Sequence, residues 1–433
     1  MASLLYFIIV LAILVISHEF GHFIIAKKTG MKVHEFGFGF PPRLFGIQFL
    51  KEKKLKKIAE VETIEVKDEI VAGIDGGEIL QETITDTTKE IDIIENKTKW
   101  RFVLGNRDLN ESDEQYGTVY SLNWLPLGGF VKIKGENGDG ADDPQSFAAK
   151  KPWQKAVVLV AGVVMNIILA GVLLIAGYMI GLPQTLDNMD DVSAIKDRRI
   201  EILQTIPGKP AEAAGIKAGD VVVQVGEIVN PRLKELQNYV NEHKTEELLL
   251  RVKRGEEIID KKITPAVYAD TGKGGLGIAI AELGTVKYSF FPAIWEGIKT
   301  TGWYLKEILV AFYLLLKGLI TGGGAAEAVS GPVGVAVMTG QVARLGLIYL
   351  IQFTAMLSLN LAIFNILPIP ALDGGRLLFL AIAKIRRKPV SEKIEGIFHT
   401  VGFMLLMLLV VVVTVRDLST FKELIMNFFS RLF

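Results

Sequence analysis

Two histidines and a glutamate stand inside an apolar run, LAILVISHEFGHFIIAKK, as His18-Glu19-Phe20-Gly21-His22. The order is His-Glu-x-x-His. On a helix, residues four apart share a face. His18 and His22 can therefore each offer a ring nitrogen to one Zn²⁺ at about 2.0–2.1 Å. Glu19 follows the first ligand directly and can act as general base toward a water at the metal. The plain alternative is a pair of histidines that pack between helices. Depth in the membrane argues against it, because an ionisable group costs about 2.5–3.5 kcal/mol when charged at mid-membrane and is functional by default.

A catalytic zinc takes three protein ligands and leaves one position open. The chain has no cysteine, so thiolate sites, disulfides and a cysteine nucleophile are excluded. The stretch NILPIPALDGG, 365–375, breaks a helix with prolines and glycines at the edge of another apolar run. Irregular backbone at that depth is tolerated only where it is buried or lines a wet cavity. Asp373 is the acid there and is read as the third ligand; its alternative is a helix cap in an interfacial turn.

The elements that must carry these residues are membrane helices. Half of the 433 residues are hydrophobic and 22% are charged, which fits several spans with water-facing parts. The formal net charge is zero and gives no sign of a nucleic-acid partner. A span needs about 20 mostly apolar residues. The segments 3–26, 157–182, 345–367 and 397–415 qualify. The first does not read as a signal peptide, since its lysines, Lys27 and Lys28, follow the apolar run. The segment 303–320 carries Lys306, Glu307 and Lys317 around a short apolar core and reads as an interfacial helix. With four spans, Lys27-Lys28, Lys150-Lys151-Lys155 and Lys384-Arg386-Arg387-Lys388 fall on one side, which the positive-inside rule makes cytoplasmic. Both termini and 187–343 then lie outside the cytoplasm. His22 closely precedes Lys27, so the site is expected toward the cytoplasmic leaflet.

Taken in order, His18-Glu19-Phe20-Gly21-His22, Gly37-Phe38-Gly39, Pro126-Leu127-Gly128-Gly129-Phe130-Val131 and Asn365-x-x-Pro368-x-Pro370-x-Leu372-Asp373-Gly374 resemble the site-2 proteases. More closely, they resemble the bacterial regulator-of-sigma-E protease branch. The resemblance implies a multi-pass α-helical protein of the bacterial cytoplasmic membrane, with four transmembrane helices, a membrane-re-entrant β element beside the active site and an inserted extracytoplasmic PDZ domain. It implies an intramembrane zinc metalloendoprotease. The substrates implied are single-span membrane proteins: anti-sigma factors after a first cleavage, and remnant signal peptides. It also implies that Asn365 contacts the substrate backbone; from the residues alone, a helix-terminal polar residue is as good a reading. Partners are those substrates and the lipid bilayer, with no nucleic acid.

The domain reading divides the chain at 1–50 (first span and start of the β element), 51–115, 116–184 (rest of the β element and second span), 185–285, 286–344 (interfacial helix region) and 345–433 (last two spans). The segment 51–115 opens KEKKLKK, alternates as in EVETIEV, and turns at Gly73-Ile74-Asp75-Gly76-Gly77, so it reads as a charged cytoplasmic β insertion. Within 185–285, TIPGKPAEAAGIKAGDVVVQVGE resembles a PDZ motif, with Gly219-Asp220 opening a strand. A PDZ groove adds a peptide to a sheet edge; the alternative is a ligand-free domain that obstructs bulky substrates. Asn166, midway along the second span, is read as a packing residue. His34, His243 and His399 lack ligand spacing and are read as structural or exposed. Two other classes fit less well. An ion transporter would show repeat symmetry between halves, which this sequence lacks. An inactive PDZ scaffold would lack Glu19 or Asp373.

Overall fold

The computed structural model describes residues 2–72, 78–105, 117–138, 140–186, 195–268, 272–321, 330–388 and 390–420, the side chains of 50–99 and a few further positions excepted. The chain divides into two compact units, Ala26–Lys150 and the remainder. Helix α1, Ala2–Lys28, is apolar along its length and carries Lys27 and Lys28 in its last turn, where cations suit the helix dipole. It stops at Gly30, whose φ of +71° suits a residue without a side chain.

The unit Ala26–Lys150 is a sheet of three long strands, β1 (Val33–Ala72), β2 (Glu78–Leu104) and β3 (Val119–Ile133), in the order β2-β1-β3. β1 and β2 form one antiparallel hairpin whose register runs from Phe45↔Leu104 to Ala72↔Glu78. The turn expected at 73–77 lies outside the described residues. β1 changes course near Pro41-Pro42: 33–38 pairs with 129–133 of β3, and 45–48 pairs with 119–122. One face of this sheet is buried and sets a polar cluster beside Val103 and Val119. Arg43 Nε donates to Glu35 Oε1 at 2.9 Å, and Gln48 receives Arg101 Nε at 2.7 Å. The cross-strand pairs Phe49↔Trp100 and Phe45↔Leu104 lie on the other face and are exposed.

In the second unit, α2 (Pro152–Ile180) starts with proline at a position where a missing N–H is harmless. Strand β4 (Leu182–Thr185) follows it immediately. The next elements are β5 (Ile195–Thr205), α3 (Pro210–Ala213), β6 (Val221–Val225), β7 (Ile228–Val229), α4 (Leu233–Glu242), β8 (Leu248–Arg254), β9 (Glu257–Ile263), β10 (Ala266–Val267), β11 (Gly274–Gly275) and β12 (Ile278–Val286). They build a sheet of order β4-β12-β5-β6-β8-β9, with β7 on β6 and a small β10-β11 pair. Ile200, Ile202, Val222, Val225, Leu236 and Leu250 form its core. Buried Asp220 is clamped by Arg254 through two hydrogen bonds of 2.7 Å. A groove of ≈ 390 Å³ lies between α4 and β11–β12, lined by Leu236, Val240, Leu276, Ile278 and Ile280.

The remaining helices are α5 (Phe290–Thr321), α6 (Pro332–Leu345), α7 (Leu347–Ile366), α8 (Asp373–Arg386) and α9 (Glu392–Thr420). Among the described residues, four helices are long and apolar enough to cross a membrane: Ser3–Lys28, Pro152–Ile180, Leu347–Ile366 and Lys393–Thr420. They coincide with the four apolar runs of the sequence. α5 is longer than the sequence suggests. It begins at Phe290, and its first half packs on α2 through small and hydroxyl residues. A Cβ on Gly297 would collide with Ile175, and Thr300 meets the Tyr178 hydroxyl at 2.8 Å. Further along, Phe312 meets Phe364 of α7. Hydropathy misses the first half because what it buries is not strongly apolar.

The sheet domain is tied to α7 by a polar cluster. Arg199 Nη2 donates to the Tyr349 hydroxyl at 2.8 Å, and that hydroxyl donates to Glu201 Oε2 at 2.8 Å. Glu201 is buried, so its carboxylate depends on these partners.

Candidate metal centre

The site is built where α1 meets α2 without side chains between them. A Cβ on Gly21 would collide with the Ala161 carbonyl oxygen, and one on Gly162 would stand 2.5 Å from His22 Nε2. The central glycine of the HEFGH motif therefore allows the helices to touch, and Gly162 makes room for both imidazoles. His18 and His22 are 7% and 8% exposed, so each polar ring atom needs a partner.

The third residue arrives from the break after α7. α7 ends at Ile366, the chain turns through Pro368 and Pro370, and Asp373 is the first residue of α8. The residue that caps α8 is Leu372, so Asp373 does not serve as the cap. Glycine is required at the next two positions: a Cβ on Gly374 would collide with the Leu367 carbonyl oxygen, and one on Gly375 with that of Ile369. The pair lets the first turn of α8 lie directly on the backbone that ends α7.

His18 Nε2 and His22 Nε2 lie 3.1 Å and 3.3 Å from Asp373 Oδ2, and 3.2 Å from each other. Donors at 2.0–2.1 Å from one tetrahedral centre are about 3.3–3.4 Å apart. The three atoms thus have nearly the spacing of three corners of a zinc tetrahedron, and two imidazoles with a carboxylate are a donor set that zinc accepts. Among the described residues no other group of three or more histidines and acids could share an ion in this way.

The outer nitrogens decide which ring atoms face inward. His22 Nδ1 lies 2.8 Å from the Val158 carbonyl, to which it donates, and this leaves Nε2 bare. His18 Nδ1 lies 3.3 Å from the side-chain amide of Asn166, a fully buried residue whose Oδ1 has no other partner among the described residues. With the amide turned so that Oδ1 faces the ring, Asn166 accepts the Nδ1 proton, and Nε2 of His18 is bare as well. The Asn166 backbone carbonyl receives the Ser358 hydroxyl at 2.8 Å, which joins α2 to α7 behind the site. The sequence suggests only a packing role for Asn166. The structure sets it against a candidate ligand, and its signal is an amide mid-span in a helix with no other polar residue near it.

Asn365 is in the last turn of α7, with Nδ2 3.3 Å from His18 Nε2. Glu19 is half-buried and follows His18 along α1. His243 stacks on Tyr239 at the end of α4, outside this cluster.

The sequence matches the model of peptidase family M50 over residues 6–58 and 93–409. It is 31% identical to a zinc metalloprotease RasP of Oceanobacillus iheyensis, over 97% of this chain and 99% of that protein. A zinc metalloprotease RasP of Geobacillus kaustophilus is 32% identical over 97% and 98%. The regulator of sigma-W protease RasP of Bacillus subtilis is 32% identical over 95% and 97%. Among solved structures, the PDZ domain of an SdrC-like protein from Listeria monocytogenes aligns with 20% of this chain and 90% of its own, at 16% identity and a TM-score of 0.19.

Proposed function

The chain belongs to peptidase family M50 and is a zinc metalloprotease of the site-2 protease type, and from that premise we propose that it cuts within the transmembrane segments of single-span membrane proteins. The observation that carries this reading is where the donor triangle sits. Two of its corners are on α1 and the third follows α7, and both helices are long and apolar enough to cross a membrane. A bond cut there belongs to a chain that is itself in the bilayer.

His18, His22 and Asp373 hold the zinc. When bound, zinc supplies Lewis acidity toward water and toward a peptide carbonyl. Glu19 takes a proton from the attacking water and returns it to the leaving nitrogen as the peptide C–N bond breaks. Asn365, with its amide beside His18, holds the substrate backbone.

The orientation follows the basic clusters: Lys27, Lys155 and Lys388 face the cytoplasm, and both termini and the PDZ-like sheet domain lie outside it. The exposed aromatic face of the β1-β2-β3 sheet suits a membrane interface and supports the re-entrant reading. The Bacillus subtilis relative is named for regulating sigma-W. By analogy, the substrates are anti-sigma factors after a first cleavage, together with remnant signal peptides. The sheet domain passes trimmed chains and obstructs intact ones by bulk.

The test is co-expression with candidate single-span proteins, comparing wild type with Glu19→Gln by mass spectrometry of the fragments and by zinc content. Glu19→Gln should keep zinc and lose cleavage. Cleavage at the wild-type rate would sink the mechanism.

A further inference from the structure

Asp373 is held in place by a turn that the metal site does not itself explain. Ala371, two residues before it, has φ +69°, the left-handed region that disfavours any residue with a Cβ. Its backbone N–H points out of the turn and donates to His399 Nδ1 on α9 at 2.9 Å. Close by on α9, Gly402 packs on the same loop, where a Cβ would collide with the Pro370 ring. The His399 ring is also seated against Phe379 of α8, with centroids 5.9 Å apart, and its Cε1 would be 3.3 Å from a Cβ on Gly375. The ring therefore touches the turn on both sides of Asp373.

We infer that His399 is a positioning residue for the metal site: by accepting the Ala371 N–H it keeps the turn in its left-handed form and so aims the Asp373 carboxylate at His18 and His22. Accepting through Nδ1 requires the proton on Nε2, so the ring acts as a neutral acceptor. Nε2 has no hydrogen-bond partner among the described residues, which leaves the bond to Ala371 as the polar tie that sets the ring. The inference rests on the reading of Asp373 as a zinc ligand and extends it to a helix that contributes no ligand.

The test uses full-length protein in detergent and measures zinc affinity by competition with a chromophoric chelator, alongside the thermal midpoint of the metal-free form. His399→Asn keeps an acceptor where Nδ1 stands and should stay within about threefold of wild type. His399→Gln moves its acceptor one bond further out, and His399→Phe has none. Both should bind zinc about 10-fold more weakly, the scale of lost support behind a metal ligand. Ala371→Gly removes the left-handed penalty, so it should restore part of the loss in His399→Phe. If His399→Phe does not fold, the Asn and Gln variants carry the comparison. Equal affinity in those two variants overturns the role of the hydrogen bond. Asp373→Ala is the reference. If it keeps wild-type affinity, the ligand assignment falls and the inference falls with it. If it loses zinc while the Gln and Phe variants do not, the role of His399 alone is overturned.

Discussion

Gly162→Ala is the smallest change that should empty the metal site. The added Cβ would stand 2.5 Å from His22 Nε2 and 2.7 Å from His18 Cε1. Ordinary contact begins near 3.4 Å, so the His22 ring must retreat by about 1 Å. A donor that bonds zinc at about 2.0–2.1 Å is no longer a ligand after such a shift. Zinc affinity should fall by about 100-fold or more, at the upper end of what loss of support behind a ligand produces. The strain of one extra methyl is about 1–3 kcal/mol, small enough for the fold to survive. Gly171→Ala on the same helix is the control, because its Cβ would meet only Thr301 Oγ1 at 3.6 Å. The assay is zinc per protein by elemental mass spectrometry, with thermal melts in the presence and absence of chelator. A folded Gly162→Ala protein holding zinc as tightly as wild type would refute the packing argument.

Asn166→Leu keeps volume but removes the acceptor for His18 Nδ1, and should weaken zinc binding about 10- to 100-fold in the same competition assay; unchanged affinity would return Asn166 to a packing role. Cysteines introduced at Lys388 and Lys234 should be labelled from the cytoplasm and from outside respectively, and labelling of both from one side would mean that α5 crosses the bilayer. Deleting 201–283 should leave zinc in place and let untrimmed single-span proteins be cut, as read from fragment mass spectra. Selectivity equal to wild type would remove the size filter, and an inactive protein would assign the domain a structural or recruiting role.

The four long apolar helices are legible in the sequence because about 20 apolar residues in a row have few other uses. His18, His22 and Asp373 are legible because charge-bearing groups and broken backbone in such runs demand a reason. Contact between helices is what the sequence hides. Gly162 looks like any small residue of a membrane helix until the rings of His18 and His22 are seen against it. Asn166 carries the right chemistry, but its partner is 148 positions away. His399 has no ligand spacing because it acts on a backbone N–H, which has no sequence signature. The first half of α5 escapes for a related reason: glycine and threonine bury well against a neighbour and score poorly as hydrophobic.

The Arg199–Tyr349–Glu201 cluster has a mechanical consequence. Tyr349 is near one end of α7 and Asn365 near the other, about 24 Å apart at 1.5 Å per residue. A helix of that length is a lever. Tilting its Tyr349 end by about 2° swings Asn365 by nearly 1 Å, a displacement that can cost about 100-fold in rate at a reacting centre. While the sheet domain is seated on Tyr349, a load applied to it is passed along α7, against the hold of Ser358 on α2, toward the end beside His18.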